Sequence, residues 1–150
     1  MNSAMKAVAV ALAVAGFATL TGPASAAVRP QMPAEQHQGS VGFVTGGIGE
    51  AEARMFERQM GQHRLAIELL EHAGKAEEFT ADARVRIADA HGRTVLDTQA
   101  GGPFLLVDLP PGRYSIVATL NHRTLRKPAV VVMRNKMARA TFEFPPRTDG

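Results

Sequence analysis

Between Leu65 and Phe144 apolar and polar residues alternate with a period of two, and this limits the fold more than any other feature of the chain. Leu65, Ile67 and Leu69 alternate with Arg64, Ala66 and Glu68, and Ala83, Val85 and Ile87 alternate with Arg84 and Arg86. Tyr114, Ile116, Ala118 and Leu120 alternate with Arg113, Ser115, Val117 and Thr119, and Ala138, Ala140, Phe142 and Phe144 close the series. Successive side chains of an extended chain point to opposite faces, so each run presents one apolar face that needs a second layer to cover it.

Turn-forming residues separate these runs. Asp89-Ala-His91-Gly92, Gly101-Gly102-Pro103, Pro110-Pro111-Gly112, Asn121-His122-Arg123 and Arg134-Asn135-Lys136 fall between them, and Thr94–Thr98, Phe104–Leu109 and Ala129–Met133 supply further extended stretches. At Pro110-Pro111-Gly112 proline presets φ and glycine admits the positive φ of a type II turn. Pro128 cannot donate to a ladder, which marks a strand start or an edge. His72–Phe79 reads as a loop. About seven short strands with a turn roughly every 8–12 residues predict an all-β antiparallel sandwich over residues 63–144. A parallel sheet would need crossover helices for which this stretch has no room.

The N-terminus follows another pattern. Lys6 precedes an uncharged Ala/Val/Leu-rich run that stops at Thr21-Gly22-Pro23, short of the about 20 residues needed to cross a bilayer. Small residues at Ala24 and Ala26 suit a signal peptidase, so residues 1–26 are expected to be a signal peptide cut between Ala26 and Ala27. No cysteine is present to carry a lipid or form a disulfide, so a soluble periplasmic or secreted protein, held by its core alone and without a membrane span after cleavage, is expected. Residues 27–45 are polar and Pro-containing and read as a flexible leader. Gly46-Gly47-Ile48-Gly49 opens a short amphipathic helix over residues 46–62, with Ile48, Met55, Phe56 and Met60 on one side. Residues 145–150 form a tail.

Two stretches carry a family resemblance. Val85-x-Ile87-x-Asp89-x-x-Gly92-x-x-Val95, followed by Gly102-x-Phe104-x-Leu106-x-x-Leu109-Pro110-Pro111-Gly112-x-Tyr114, resembles the carboxypeptidase regulatory-like domains. The resemblance spans roughly Leu65 to Phe144 and implies a transthyretin-like seven-stranded sandwich, of the kind found in short exported proteins made of this domain alone. It implies fold residues and no catalyst, because in the parent peptidases this domain is accessory to a separate catalytic one. Asp89 and Gly92 are expected to form a hairpin turn, Gly102 to permit a bend, Phe104, Leu106 and Leu109 to fill the core, and Tyr114 to need a partner for its hydroxyl.

Residue types at catalytic spacing are missing from the sequence. His37, His63, His72, His91 and His122 never occur at the i, i+4 spacing of a helical zinc site, although the turn residues His91 and His122 could converge through the fold. Ser40 and Ser115 lack the Gly-x-Ser-x-Gly elbow, Glu50/Glu52 and Glu77/Glu78 sit in polar contexts, and Thr45-Gly-Gly-Ile-Gly lacks the ending of a phosphate loop. The expectation is a non-enzymatic module without metal or cofactor. Loss of Lys6 takes Lys+Arg from 17 to 16 against 14 acids, a net charge of +2, which is too small for a dedicated nucleic-acid binder.

The remaining feature is a late basic set, Arg123, Arg126, Lys127, Arg134, Lys136 and Arg139, with no acid between Arg113 and Glu143. It either docks an acidic envelope partner by charge or keeps strand edges from aggregating. Carbohydrate or peptidoglycan binding is the alternative suggested by the sandwich, against which stand the absence of Trp and a single tyrosine, Tyr114. The expected partner is therefore an envelope protein or a glycan.

Overall fold

The computed structural model describes residues 22–24, 29–73, 76–79 and 82–146, so the Ala26–Ala27 cleavage site and the end of the tail lie outside the described residues. The described strands are β1 (Gln36–Gln38), β2 (Val41–Gly46), β3 (Leu65–Ala73), β4 (Ala76–Phe79), β5 (Arg84–Ala88), β6 (Thr94–Gln99), β7 (Phe104–Asp108), β8 (Gly112–Leu120), β9 (Arg123–Val132) and β10 (Ala138–Phe144). Among the described residues one α-helix, α1 (Glu50–Gln59), runs into a 3-10 turn at Met60–Gln62.

The strands form two facing sheets. One has the order β1-β2-β7-β3-β10, with β4 also paired to β3; the other has the order β6-β5-β8-β9. The alternating residues supply the core between them. Leu65, Ile67, Leu69, Leu105 and Val107 of the first sheet meet Val85, Ile87, Leu96, Ile116 and Ala118 of the second, all fully buried. Their polar neighbours Arg84, Arg86 and Thr119 face outward, as period two requires.

The all-β sandwich is the fold class expected, and four details within it differ. The leader assigned to residues 27–45 is not loose along its whole length, because β1 pairs with β2 and β2 pairs with β7, placing β2 inside the sheet. All six residues of β2 are buried. Its run Val41-Gly-Phe-Val-Thr-Gly shows no alternation because both faces are covered, and a strand buried on both faces loses the period-two signal. The loop expected at His72–Phe79 contains the end of β3 and all of β4, whose backbones pair from Leu70↔Phe79 to Ala73↔Ala76.

The sandwich is also not wholly antiparallel. Strand β10 lies parallel to β3, from Ala138↔Leu65 to Phe144↔Glu71. The rule that parallel neighbours need a long connection holds, but the described part of the intervening chain is mostly strands, including the whole second sheet, and contains no crossover helix. With β1, β2 and β4 included, the described strands exceed the expected seven.

The helix lies against the outer face of the first sheet. Phe56 and Met60 pack on Val44, Ala66, Phe104 and Leu106, and the rings of Phe56 and Phe104 stack with centroids 5.7 Å apart. This second small core, on the far side of the sheet from the first, explains why Phe104 and Leu106 are as deeply buried as Leu105 and Val107.

The two open sides of the sandwich differ. On one, β1 and β6 are joined by the Gln38 side chain, whose Nε2 donates to the Asp97 carbonyl at 2.7 Å while its Oε1 accepts from the Asp97 N–H at 2.9 Å. On the other, β9 and β10 end their respective sheets without pairing to each other.

Candidate docking groove

The residues of the family-like motif lie at turns and close backbone contacts. Asp89 Oδ1 accepts from the N–H groups of His91 at 2.9 Å and Arg93 at 3.0 Å, and Gly92, with φ of 79°, donates to the Asp89 carbonyl. These bonds close the β5–β6 turn. The Arg93 N–H is the main reason that the Asp89 carboxyl lies below its ordinary pKa. Tyr114 buries its ring and donates its hydroxyl to the Pro110 carbonyl at 2.7 Å, which ties β8 back to the Pro110-Pro111 turn beside buried Leu109. Burial raises the Tyr114 pKa.

Of two glycines with an expected role, one keeps it and one does not. Gly102 lies in the bend that leads into β7, as expected, and has a second role: a Cβ there would lie 2.2 Å from the Gly46 carbonyl oxygen, so its hydrogen lets two backbones touch. Gly112 is not among the positive-φ residues and opens β8, so the type II requirement does not apply to it.

His91 and His122 do not converge. The register between β5 and β8 runs from Ala88↔Ser115 to Arg84↔Thr119, which puts the two turns at opposite ends of the second sheet. The described residues hold no group of three or more His, Cys, Asp and Glu placed to bind a metal ion.

The basic set is split in the same way. Arg123 begins β9 opposite Leu120, whereas Arg134 and Lys136 lie beyond the far end of that strand. What the fold brings together is Arg126, Lys127, Lys136 and Arg139, along a groove of about 810 Å³ between β9 and the start of β10. Arg126 stands on the outer face of the second sheet opposite Val117. Arg139 is held by Glu68, with Nη2 to Oε1 at 2.5 Å and Nε to Oε2 at 3.2 Å, and this carboxylate raises the arginine's pKa.

Part of this set protects an edge. The register slips between Tyr114↔Val130 and Ile116↔Lys127, so Pro128 and Ala129 form a bulge that reverses which side chains face inward. Leu125 and Val130 both pack on the core despite lying five residues apart. Lys127 is on the inward phase and lies over the Phe142 ring, 5.5 Å from its centroid. An inward lysine, a proline and a bulge in succession are three devices that stop an edge strand from recruiting another chain.

The groove also carries features that edge protection does not explain. Val131 is 48% exposed and Met133 55% exposed, and both line it among its cations, with no carboxylate in the lining. Beyond Met133 the groove adjoins a smaller hollow of about 280 Å³ between Gly61–Arg64 and the β9–β10 turn, lined by Arg64, Arg134 and Lys136. Arg64 Nη1 is buried without a hydrogen-bond partner, which for a buried polar group costs about 1–3 kcal/mol. In the period-two alternation Arg64 falls on the phase opposite Leu65, Ile67 and Leu69. Its N–H donates to Asp108 Oδ1 at 3.4 Å, and its carbonyl accepts from the Ala138 N–H at 2.8 Å. No local pattern marks those long-range partners.

Among the described residues no helix is long and apolar enough to cross a membrane. Comparison with family models, with curated proteins and with solved structures returned no match.

Proposed function

We propose that the chain is an exported, non-catalytic sandwich module that docks an acidic protein segment in the groove between β9 and β10. The observation that carries this reading is the pair of exposed apolar side chains, Val131 and Met133, set among Arg126, Lys136 and Arg139 with no acid lining the groove. Apolar contacts would supply adhesion there, and the cations would select an acidic partner and speed its approach. The groove lining lacks the aromatic platform on which a sugar ring would stack, so protein is favoured over glycan. Export rests on the signal-peptide pattern of residues 1–26. Kinship with the carboxypeptidase regulatory-like domains is part of the same proposal, supported by the turn roles of Asp89, Gly92 and Tyr114.

The test uses a labelled peptide that alternates Glu with Val, followed by fluorescence anisotropy at increasing salt. Binding should weaken as salt rises, and the double reversal Arg126→Glu with Lys136→Glu should reduce affinity by about tenfold or more. Binding that ignores the reversal, or no binding at low salt, refutes the docking reading. N-terminal sequencing of the protein recovered from the periplasm or medium should begin at Ala27.

A further inference from the structure

We propose that Arg64, Arg134 and Lys136 form a binding pocket for an oxyanion of the phosphate class, in the hollow between the β3 entrance and the β9–β10 turn. The proposal goes beyond the docking reading and stands chiefly on Arg64 and Arg134, which do not line the docking groove; Lys136, Met133 and Met137 line both spaces.

The chemistry of the lining supports it. Three permanent or near-permanent cations, Arg64, Arg134 and Lys136, surround a hollow of about 280 Å³ whose lining includes no carboxylate. The nearby acid, Asp108, is already engaged, since its Oδ2 lies 3.1 Å from His63 Nδ1 and its Oδ1 accepts the Arg64 N–H. Asp108 thus takes the backbone N–H of Arg64 and the His63 ring. Arg64 Nη1 has no hydrogen-bond partner. Arginine's planar fork suits an anion with several oxygens, and a dianion answers two or three cations better than one carboxylate would. Met133 and Met137 form the movable part of the wall, being unbranched chains that repack at little cost.

Arg134 and Lys136 are exposed, so a ligand can reach them from solvent. Arg64, on the loop leading into β3, would be the inner anchor. Free phosphate and the phosphate group of an ester share this chemistry, and two probes tell them apart.

The intact mature protein is titrated with sodium phosphate, and separately with sodium chloride at the same ionic strength, while backbone amide shifts are followed by NMR. Phosphate should move the amides of Gln62–Arg64 and Arg134–Lys136 beyond the chloride effect. Arg64→Met, which keeps most of the apolar stem, should weaken binding at least about tenfold, and Arg134→Gln severalfold. Arg126→Gln, outside the hollow, should bind like the parent. Phosphoserine binding more tightly than inorganic phosphate assigns the pocket to an ester, and the reverse order assigns it to the free ion. No shift beyond chloride, or unchanged binding in both Arg64→Met and Arg134→Gln, overturns the proposal. Arg134 lies in an exposed turn, so its variant keeps the test decisive if loss of Arg64 unfolds the chain. Peptide docking and phosphate binding are read separately, so either can fail alone.

Discussion

Replacing Gly102 by alanine inserts one methyl group where the first sheet has no space for it. The new Cβ would sit 2.2 Å from the Gly46 carbonyl oxygen, 2.4 Å from its carbon and 2.9 Å from its Cα. An ordinary carbon–oxygen approach is about 3.3 Å or more, so the backbones must part by about 1 Å. Both partners are fixed: Gly46 ends β2 in register with Phe104, and Phe104 is held by its stack on Phe56. The separation therefore stretches the last rung of the β2–β7 ladder and disturbs the helix contact. Overpacking costs about 1–3 kcal/mol, and a lost ladder bond adds about 1 kcal/mol. Gly102→Ala should thus destabilise by about 2–4 kcal/mol, a large share of the about 5–15 kcal/mol typical of a domain. With a urea m-value of about 1–3 kcal/mol/M, the unfolding midpoint should fall by about 0.7 M or more. Gly61→Ala is the control, because no atom lies within 4 Å of its built Cβ and its φ is not positive; it should stay within about 1 kcal/mol of the parent. Equal midpoints for Gly102→Ala and the parent would show that β2 and β7 do not approach as described.

The side of the sandwich between β1 and β6 is bridged by one amide. Gln38→Ala removes both bonds to the Asp97 backbone and should cost about 1–3 kcal/mol, with faster hydrogen exchange at Asp97 than at Leu96. On the open side, Lys127→Val should leave the monomer folded but make it self-associate with concentration, as read by light scattering, because the inward charge guarding the β9 edge is gone. Folding lowers the pKa of Asp97, chiefly through its hydrogen bond from Arg84, and that of Asp89, chiefly through the Arg93 N–H. Both groups therefore favour the folded state fully above the ordinary carboxyl value of about 4, and this contribution is lost as pH falls through the lower folded-state values. Asp97→Asn should flatten the acid side of the stability profile, and an unchanged profile would refute the Arg84 bond.

Much of the second sheet could be read from the residues in order. Strands β5 and β8 bury one face and expose the other, so Val85/Ile87 and Ile116/Ala118 announce themselves by alternation, and the turns between strands are written in Asp, Gly, Pro and Asn. The helix was visible from the spacing of Phe56 and Met60. Strand β2 was hidden because the helix covers the face that the sandwich core does not, which removes the alternation. Strand β4, with the sequence Ala-Glu-Glu-Phe, carries little strand preference of its own and is extended through its pairing with β3.

The candidate site follows the same division. The sequence by itself determined that a cluster of cations without acids would occupy the last two strands and that the chain would close as facing sheets, because charge count and side-chain period are local properties. Only the tertiary structure decided that Arg123 and Arg134 lie at opposite ends of β9, that Lys127 turns inward over Phe142, and that Arg64 joins Arg134 and Lys136 across a turn. Those outcomes depend on a bulge at Pro128 and on the parallel docking of β10 beside β3, and no local pattern records which distant strand a segment will pair with.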